Sequence, residues 1–307
     1  MIVLGVIIAL VLLTAYICYR MAFYVSKAQR NEKEEYPIPA GQIYEPYRDS
    51  MIQWIKDVRA MPHEDLAIRS FDGLTLRGKF YEYAPGAPIE LMMHGYRGNA
   101  ERDLCGGVQR CFLLGHSCLI IDQRGCGRSD GNTITFGVKE SKDCLSWLEF
   151  MQSHFGKARK IILTGISMGA TTVLITAGRE LPENVIGVLA DCGFTRARDI
   201  IQVVIRKLRL PPKLLYPFVR LGACLFGGFD PEKASATDAM KHCRVPVIFF
   251  HGEADDFVPC DMSRENYDAC PCRKALVTVA EAGHGLSYLV DPAGYLKALA
   301  EFFPDPQ

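Results

Sequence analysis

The stretch from Lys160 to Ala177 constrains the fold of this chain more than any other. Lys160-Ile161-Ile162-Leu163-Thr164 is a short apolar run that leads directly into Gly165-Ile166-Ser167-Met168-Gly169, and helix-compatible residues continue from Ala170 to Ala177. This order predicts a buried strand, a sharp turn and a helix. The flanking glycines lack the Cβ atoms that such a turn would drive into the neighbouring backbone. A serine at the apex then stands at the carboxyl end of a strand, beside the amino end of a helix.

The same rhythm runs along most of the sequence. Leu66 to Ser70, the Asp72-Gly73 pair and Thr75 to Tyr83 predict a β-hairpin. Beyond it, apolar runs at 89–93, 118–122, 161–164, 185–190, 245–250 and 275–279 predict strands. Helical patterns at 101–114, 138–152 and 293–303 fall among or after them. An amphipathic helix is expected over 47–60 through Met51, Trp54, Ile55 and Val58. An antiparallel hairpin followed by strand-helix units predicts an α/β fold: a mostly parallel central sheet with helices on both faces.

The amino terminus reads differently. Ile2 to Tyr19 carries no charged side chain, and the run ends at Arg20. Eighteen helical residues reach ~27 Å, close to the ~30 Å hydrocarbon core of a bilayer. No basic residue precedes the run and no small-residue cleavage pattern follows it, so a retained transmembrane anchor is expected rather than a removed signal. Arg20, Lys27, Arg30 and Lys33 follow the span, which places the carboxyl-terminal part on the cytoplasmic side. The 12 cysteines agree with a reducing compartment, because Cys111, Cys118, Cys144 and Cys192 lie in core-like segments without a disulfide spacing. Cys270-Pro-Cys272 lacks a second ligand pair, so no metal site is expected there. Lys plus Arg equals Asp plus Glu at 35 each, which gives no electrostatic case for nucleic acid. The expected organisation is an anchor over 1–20, a juxtamembrane linker over 21–62 and the α/β domain over 63–307.

One interval interrupts the strand-helix alternation. More than fifty residues separate the strand ending near Asp191 from the one starting near Val245. This insertion is expected to form a short helical lid at about 193–230, because sites in open α/β sheets sit at the carboxyl ends of the strands. It mixes apolar residues with Arg196, Arg198, Arg206, Lys207, Arg209, Lys213 and Arg220. Beside an anchor, that composition suits an amphiphilic acyl substrate or an anionic lipid surface, though a solvated basic helix face fits it equally.

A serine hydroxyl needs a base within hydrogen-bond reach and a group that orients the base. His284, in the glycine-flanked loop Ala282-Gly283-His284-Gly285, follows the strand at 275–279 and is the expected base. The acid is expected just past the strand at 245–250, where Asp255 and Asp256 are adjacent and spacing alone chooses neither. Two backbone N–H groups should face a developing oxyanion. Met168, next to the serine, supplies one, and Tyr96, in the loop Met93-His94-Gly95-Tyr96-Arg97-Gly98-Asn99, supplies the other. His94 itself is expected to be structural, a buried imidazole bonded to nearby backbone.

From about Asp65 to Phe303 these residues resemble the α/β-hydrolase superfamily. His94-Gly95 resembles its oxyanion-loop signature, and Asp122-Gln123-Arg124-Gly125-Cys126-Gly127-Arg128-Ser129 its Asp-x-Arg-Gly-x-Gly-x-Ser loop. Gly165 to Gly169 is similar to the nucleophile elbow, and His251-Gly252-x-x-Asp255-x-x-Val258-Pro259 to the acid motif. The resemblance selects Asp255 over Asp256 and implies the order Ser167, Asp255, His284. Within the superfamily the chain looks most like bacterial membrane-anchored hydrolases near the serine aminopeptidase-like and prolyl-oligopeptidase-like branches. It also resembles animal membrane-associated members that cleave acyl thioesters. The implied function is a serine hydrolase of esters, thioesters or amides that needs no metal or organic cofactor and acts on a small or lipid-like acyl substrate. A serine peptidase is the alternative, and a binding protein that has lost its chemistry is a third reading.

Overall fold

The computed structural model describes residues 1–30 and 34–303, so Lys33 lies outside the described residues. The chain opens with the apolar helix α1 (Ile2–Ala22) and the short α2 (Lys27–Arg30). A 3-10 segment, Gln42–Tyr47, leads into α3 (Arg48–Ala60). The hairpin β1 (Glu64–Arg69) and β2 (Thr75–Tyr81) follows, then β3 (Ile89–Met93), α4 (Ala100–Leu113), β4 (Ser117–Asp122) and α5 (Glu140–His154). Next come β5 (Ile161–Ile166), α6 (Met168–Ala177), β6 (Val185–Asp191), α7 (Ala197–Lys207), α8 (Pro212–Gly222) and α9 (Ala236–Met240). The chain closes with β7 (Val247–Gly252), α10 (Cys260–Ala269), β8 (Lys274–Val279), α11 (Ser287–Val290) and α12 (Pro292–Phe302).

The strands form one eight-stranded sheet in the order β1-β2-β4-β3-β5-β6-β7-β8. β1 and β2 pair antiparallel, as do β2 and β4, and every later pairing is parallel. β3, β4 and β7 are buried along their whole length. Both sheet faces are covered by helices, and so these strands read as continuous apolar runs instead of alternating ones.

α5 starts at Glu140, two residues later than its apolar pattern suggests. Phe136 and Gly137 take positive φ of 53° and 95°, which stops a helix there. The Glu140 carboxylate then accepts the N–H groups of Thr135 (2.7 Å) and Gly137 (2.9 Å). The segment expected as a linker also packs against the rest of the chain. The last turns of α1 bury Ala15 and Tyr19, and Phe23 is buried just beyond. The Val25 N–H donates to the carbonyl of Asn132, and the Ile134 N–H to that of Phe23.

Candidate active site

β5 delivers its carboxyl end to a turn in which Ser167 adopts φ 56° and ψ −119°. A side chain in that region stores strain of about 1–3 kcal/mol and persists where its surroundings fix it. The glycines make the turn possible: a Cβ at Gly165 would collide with the backbone of Gly169, and one at Gly169 with the carbonyl of Met93. The Ser167 N–H donates to the carbonyl of Asp191 at the end of β6 (2.8 Å).

The sequence-expected partners converge on this serine. His284, in the loop after β8, places Nε2 2.9 Å from Ser167 Oγ and Nδ1 2.7 Å from Asp255 Oδ2. An ionised carboxylate only accepts, so Nδ1 carries the proton and Nε2 accepts from the serine hydroxyl. Asp255 Oδ1 accepts the N–H groups of Phe257 and Val258, both at 2.8 Å. Burial opposes the charge on Asp255. Hydrogen bonds from His251 and His284 and the nearby Val258 N–H outweigh burial and hold its acidity well below the usual carboxylate range. Asp256, by contrast, points to solvent, 3.6 Å from Lys207 Nζ.

Met168 opens α6, where the first backbone N–H groups have no acceptor within the helix. Gly95 and Tyr96 lie across from it, and a Cβ built on Gly95 would stand 3.6 Å from Ser167 Cβ. Asp103 Oδ2 accepts the Gly95 N–H at 3.0 Å, and the Tyr96 hydroxyl donates to the carbonyl of Ala22 at 2.8 Å. His94 is buried: Nδ1 lies 2.7 Å from the Gly95 carbonyl, and Nε2 accepts the Gln123 N–H at 3.0 Å. Burial lowers its pKa, so it stays neutral and braces the loop.

Several site-forming residues carry no readable role in the sequence alone. His251 was legible only as a motif letter, yet its Nε2 lies 2.9 Å from the Val258 carbonyl and 3.3 Å from Asp255 Oδ2. Asp122, the first residue of the Asp-x-Arg-Gly-x-Gly-x-Ser loop, accepts the N–H groups of Ala100 and Arg128, both at 2.9 Å. The buried Asp191 carboxylate accepts from Tyr295 (3.1 Å) and Ser287 (3.3 Å). Cys192, Asp255 and His284 place donor atoms within 4.8 Å of one another. That trio suits a cation poorly, since burial pushes the Cys192 thiol up and Asp255 and His284 are bonded to each other.

A cavity of about 560 Å³ opens beside Ser167 and His284. The expected helical insertion is present as α7 and α8, but its inner face packs on Met168, Tyr96 and Phe136 and leaves the cavity wall to other segments. Lys207, at the end of α7, reaches only the rim, 5.7 Å above the Phe257 ring.

A family model described as the alpha/beta hydrolase fold matches residues 91–223. The chain is 29% identical over 239 residues to the uncharacterized protein YqkD of Bacillus subtilis, across 76% of this chain and 77% of that one. It is 28% identical over 175 residues to the mitochondrial palmitoyl-protein thioesterase ABHD10 of Homo sapiens, covering 52% and 53%. Among solved structures, the Pyrococcus furiosus esterase Pf2001 aligns with a TM-score of 0.66 at 21% identity, over 87% of this chain and 95% of that one, a likeness of fold. With the family match spanning the serine turn and a relative aligned along most of its length, the chain has the α/β-hydrolase fold, is similar to members of that superfamily, and is a hydrolase.

Proposed function

We propose that the chain is a serine hydrolase that cleaves carboxylic esters or thioesters of amphiphilic acyl groups through an acyl-enzyme. The observation that carries this reading is the hydrogen-bonded line from Ser167 Oγ to His284 Nε2 (2.9 Å) and from His284 Nδ1 to Asp255 (2.7 Å), at the mouth of a cavity. Ser167 Oγ attacks the carbonyl carbon while its proton passes to His284 Nε2. The N–H groups of Met168 and Tyr96 hold the oxyanion. Nε2 then gives the proton to the departing alkoxide or thiolate, leaving an acyl-serine. Water attacks that ester with Nε2 as base, and the acid leaves as Ser167 recovers its proton. Asp255 keeps the imidazole in the required tautomer throughout. The relative named as a palmitoyl-protein thioesterase supports the acyl class.

The membrane part of the proposal rests on α1. Its 21 residues span ~31 Å, enough for a bilayer core. Residues 2–10 are exposed, whereas Ala15 and Tyr19 pack against the body of the protein. Full immersion of the span would therefore bring the exposed Leu214, Leu225 and Phe226 of the inserted helices to headgroup level. Arg20, Lys27 and Arg30 after the span support a cytoplasmic catalytic part.

Labelling the full-length protein with a fluorophosphonate probe tests the chemistry. Wild type should label and Ser167→Ala should not, and turnover should fall by about 10⁴-fold in the variant. A folded wild type that stays unlabelled would overturn the reading. Aminoacyl-anilide turnover above that of p-nitrophenyl esters would move the assignment to a peptidase.

A further inference from the structure

The wall of the cavity comes from a segment far from the serine in sequence. Residues 39–44, between α2 and α3, line it, and Met51 and Trp54 of α3 extend the same wall. The Tyr44 hydroxyl donates to the carbonyl of His284 at 3.0 Å. Ile43 Cδ1 lies 3.3 Å from the point where a Cβ on Gly283 would stand, so it packs directly over the residue before His284. Trp54 rests on α4 where Gly106 leaves room, and it stacks on Tyr288 with centroids 5.8 Å apart and an interplanar angle of 26°. No residue of α7 or α8 lines this cavity among the described residues.

We propose that the segment 39–54 is the acyl-chain wall of the site, and that Tyr44 is a positioning residue for the His284 loop. This rests on the serine-hydrolase reading above. From Ser167, the carbonyl sits between Tyr96 and Met168, and the chain behind it runs along Ile43, Met51 and Trp54. These side chains offer apolar surface and no charge, and they select acyl groups by length and thickness. A cavity of about 560 Å³ falls within the ~300–1,000 Å³ range that buries a ligand of moderate size. The Tyr44 bond fixes the backbone of His284 itself, so the segment that reads the chain also holds the base in line with Oγ.

Hydrolysis of p-nitrophenyl acetate and p-nitrophenyl dodecanoate by the full-length protein in detergent micelles tests both parts. Ile43→Trp should lower the ratio of kcat/KM for dodecanoate to that for acetate about tenfold or more. Ile43→Ala, which introduces no clash, should raise KM for dodecanoate several-fold more than KM for acetate. Tyr44→Phe should lower kcat for both esters about tenfold with KM unchanged, with kcat expressed per active site titrated by the fluorophosphonate so that unfolded protein does not contribute. A dodecanoate-to-acetate ratio unchanged in both Ile43 variants overturns the wall. Wild-type kcat in Tyr44→Phe overturns the positioning role. If wild type does not label, the serine-hydrolase reading falls and takes this inference with it; if wild type labels and the ratio does not move, the wall alone falls.

Discussion

Asp255 must stay charged where carboxylates ordinarily begin to protonate, and its surroundings arrange this. Two backbone N–H groups on Oδ1 and two imidazoles near Oδ2 all favour the anion. Its folded pKa is depressed, so the associated stabilisation is present above the unfolded value of about 3.9 and is lost only as pH falls through the folded value. Protonation of Asp255 should therefore add no step to log kcat/KM for a short ester between pH 4 and 7. A carboxyl titration of Asp255 seen by NMR between pH 4 and 5 would show that it is not held below the ordinary range. Asp255→Asn should cost about 10³–10⁴-fold in kcat, since the tautomer is no longer enforced. At this scale the sequence was only half legible. Ser167 and His284 announced themselves through their glycines. The choice between Asp255 and Asp256 depends on how the turn after β7 directs two neighbouring side chains, which no spacing rule encodes without the family resemblance. Tyr44 carried no signal at all, because its partner is a carbonyl 240 residues away.

Elements were legible where burial imposes a pattern. β3 through β7 stood out as short apolar runs because the parallel sheet is covered on both faces. β3 nonetheless carries Glu90, 1% exposed, in the middle of its run. The structure supplies its partners: Arg110 from α4 at 2.5 Å, His116 at 3.0 Å and the Thr164 hydroxyl of β5 at 2.7 Å. Burial pushes the Glu90 carboxyl up, but Arg110 and His116 outweigh this and hold it ionised. Such a network ties α4, whose Asp103 accepts the Gly95 N–H, to β5, the strand before Ser167. Breaking one partner strands a buried charge. Arg110→Met should destabilise by about 3–5 kcal/mol in chemical denaturation, and Glu90→Leu/Arg110→Met should recover most of the loss. A single variant within 1 kcal/mol of wild type would mean that water reaches Glu90. The stretch before β1 was the least legible, for the same physical reason. Its polar, proline-containing sequence reads as a linker, and only contacts with α4, Gly283 and Tyr288 make it part of the site.

Among the described residues the apolar core divides into four clusters, and the amino-terminal helix belongs to one of them. The first follows the sheet through Trp147, Leu163 and Phe249. The second gathers Tyr19, Phe23 and Val25 with Phe136, Phe194, Met168 and the inner faces of α7 and α8. Phe23 meets Phe136 and Phe229 edge-on at 5.7 and 5.1 Å, and Gly222 lets α8 approach the backbone of Ala15. Apolarity alone marked α1 as long and apolar enough to cross a membrane; nothing in its sequence said that its final turns would dock on the hydrolase. They and the residues just beyond also touch the loop after β3, because Tyr96 donates to Ala22, and Arg97 donates to Met21 (2.8 Å) and Tyr24 (3.2 Å). An anchor that only tethered the protein could be removed at any point without consequence for the body. This helix should instead divide into two parts. Deleting residues 1–14 removes exposed apolar surface and should leave the melting temperature and short-ester kcat within error of wild type. Deleting residues 1–25 also strips Tyr19, Phe23 and Val25 from the second core, where loss of one large aromatic side chain costs about 3–5 kcal/mol. It frees the loop carrying the Tyr96 N–H as well, so the melting temperature should fall by about 10 °C and kcat by about 10²-fold. Thermal melts and acetate-ester kinetics on the two truncations in the same detergent decide the matter. Identical melts and rates would reduce α1 to a tether.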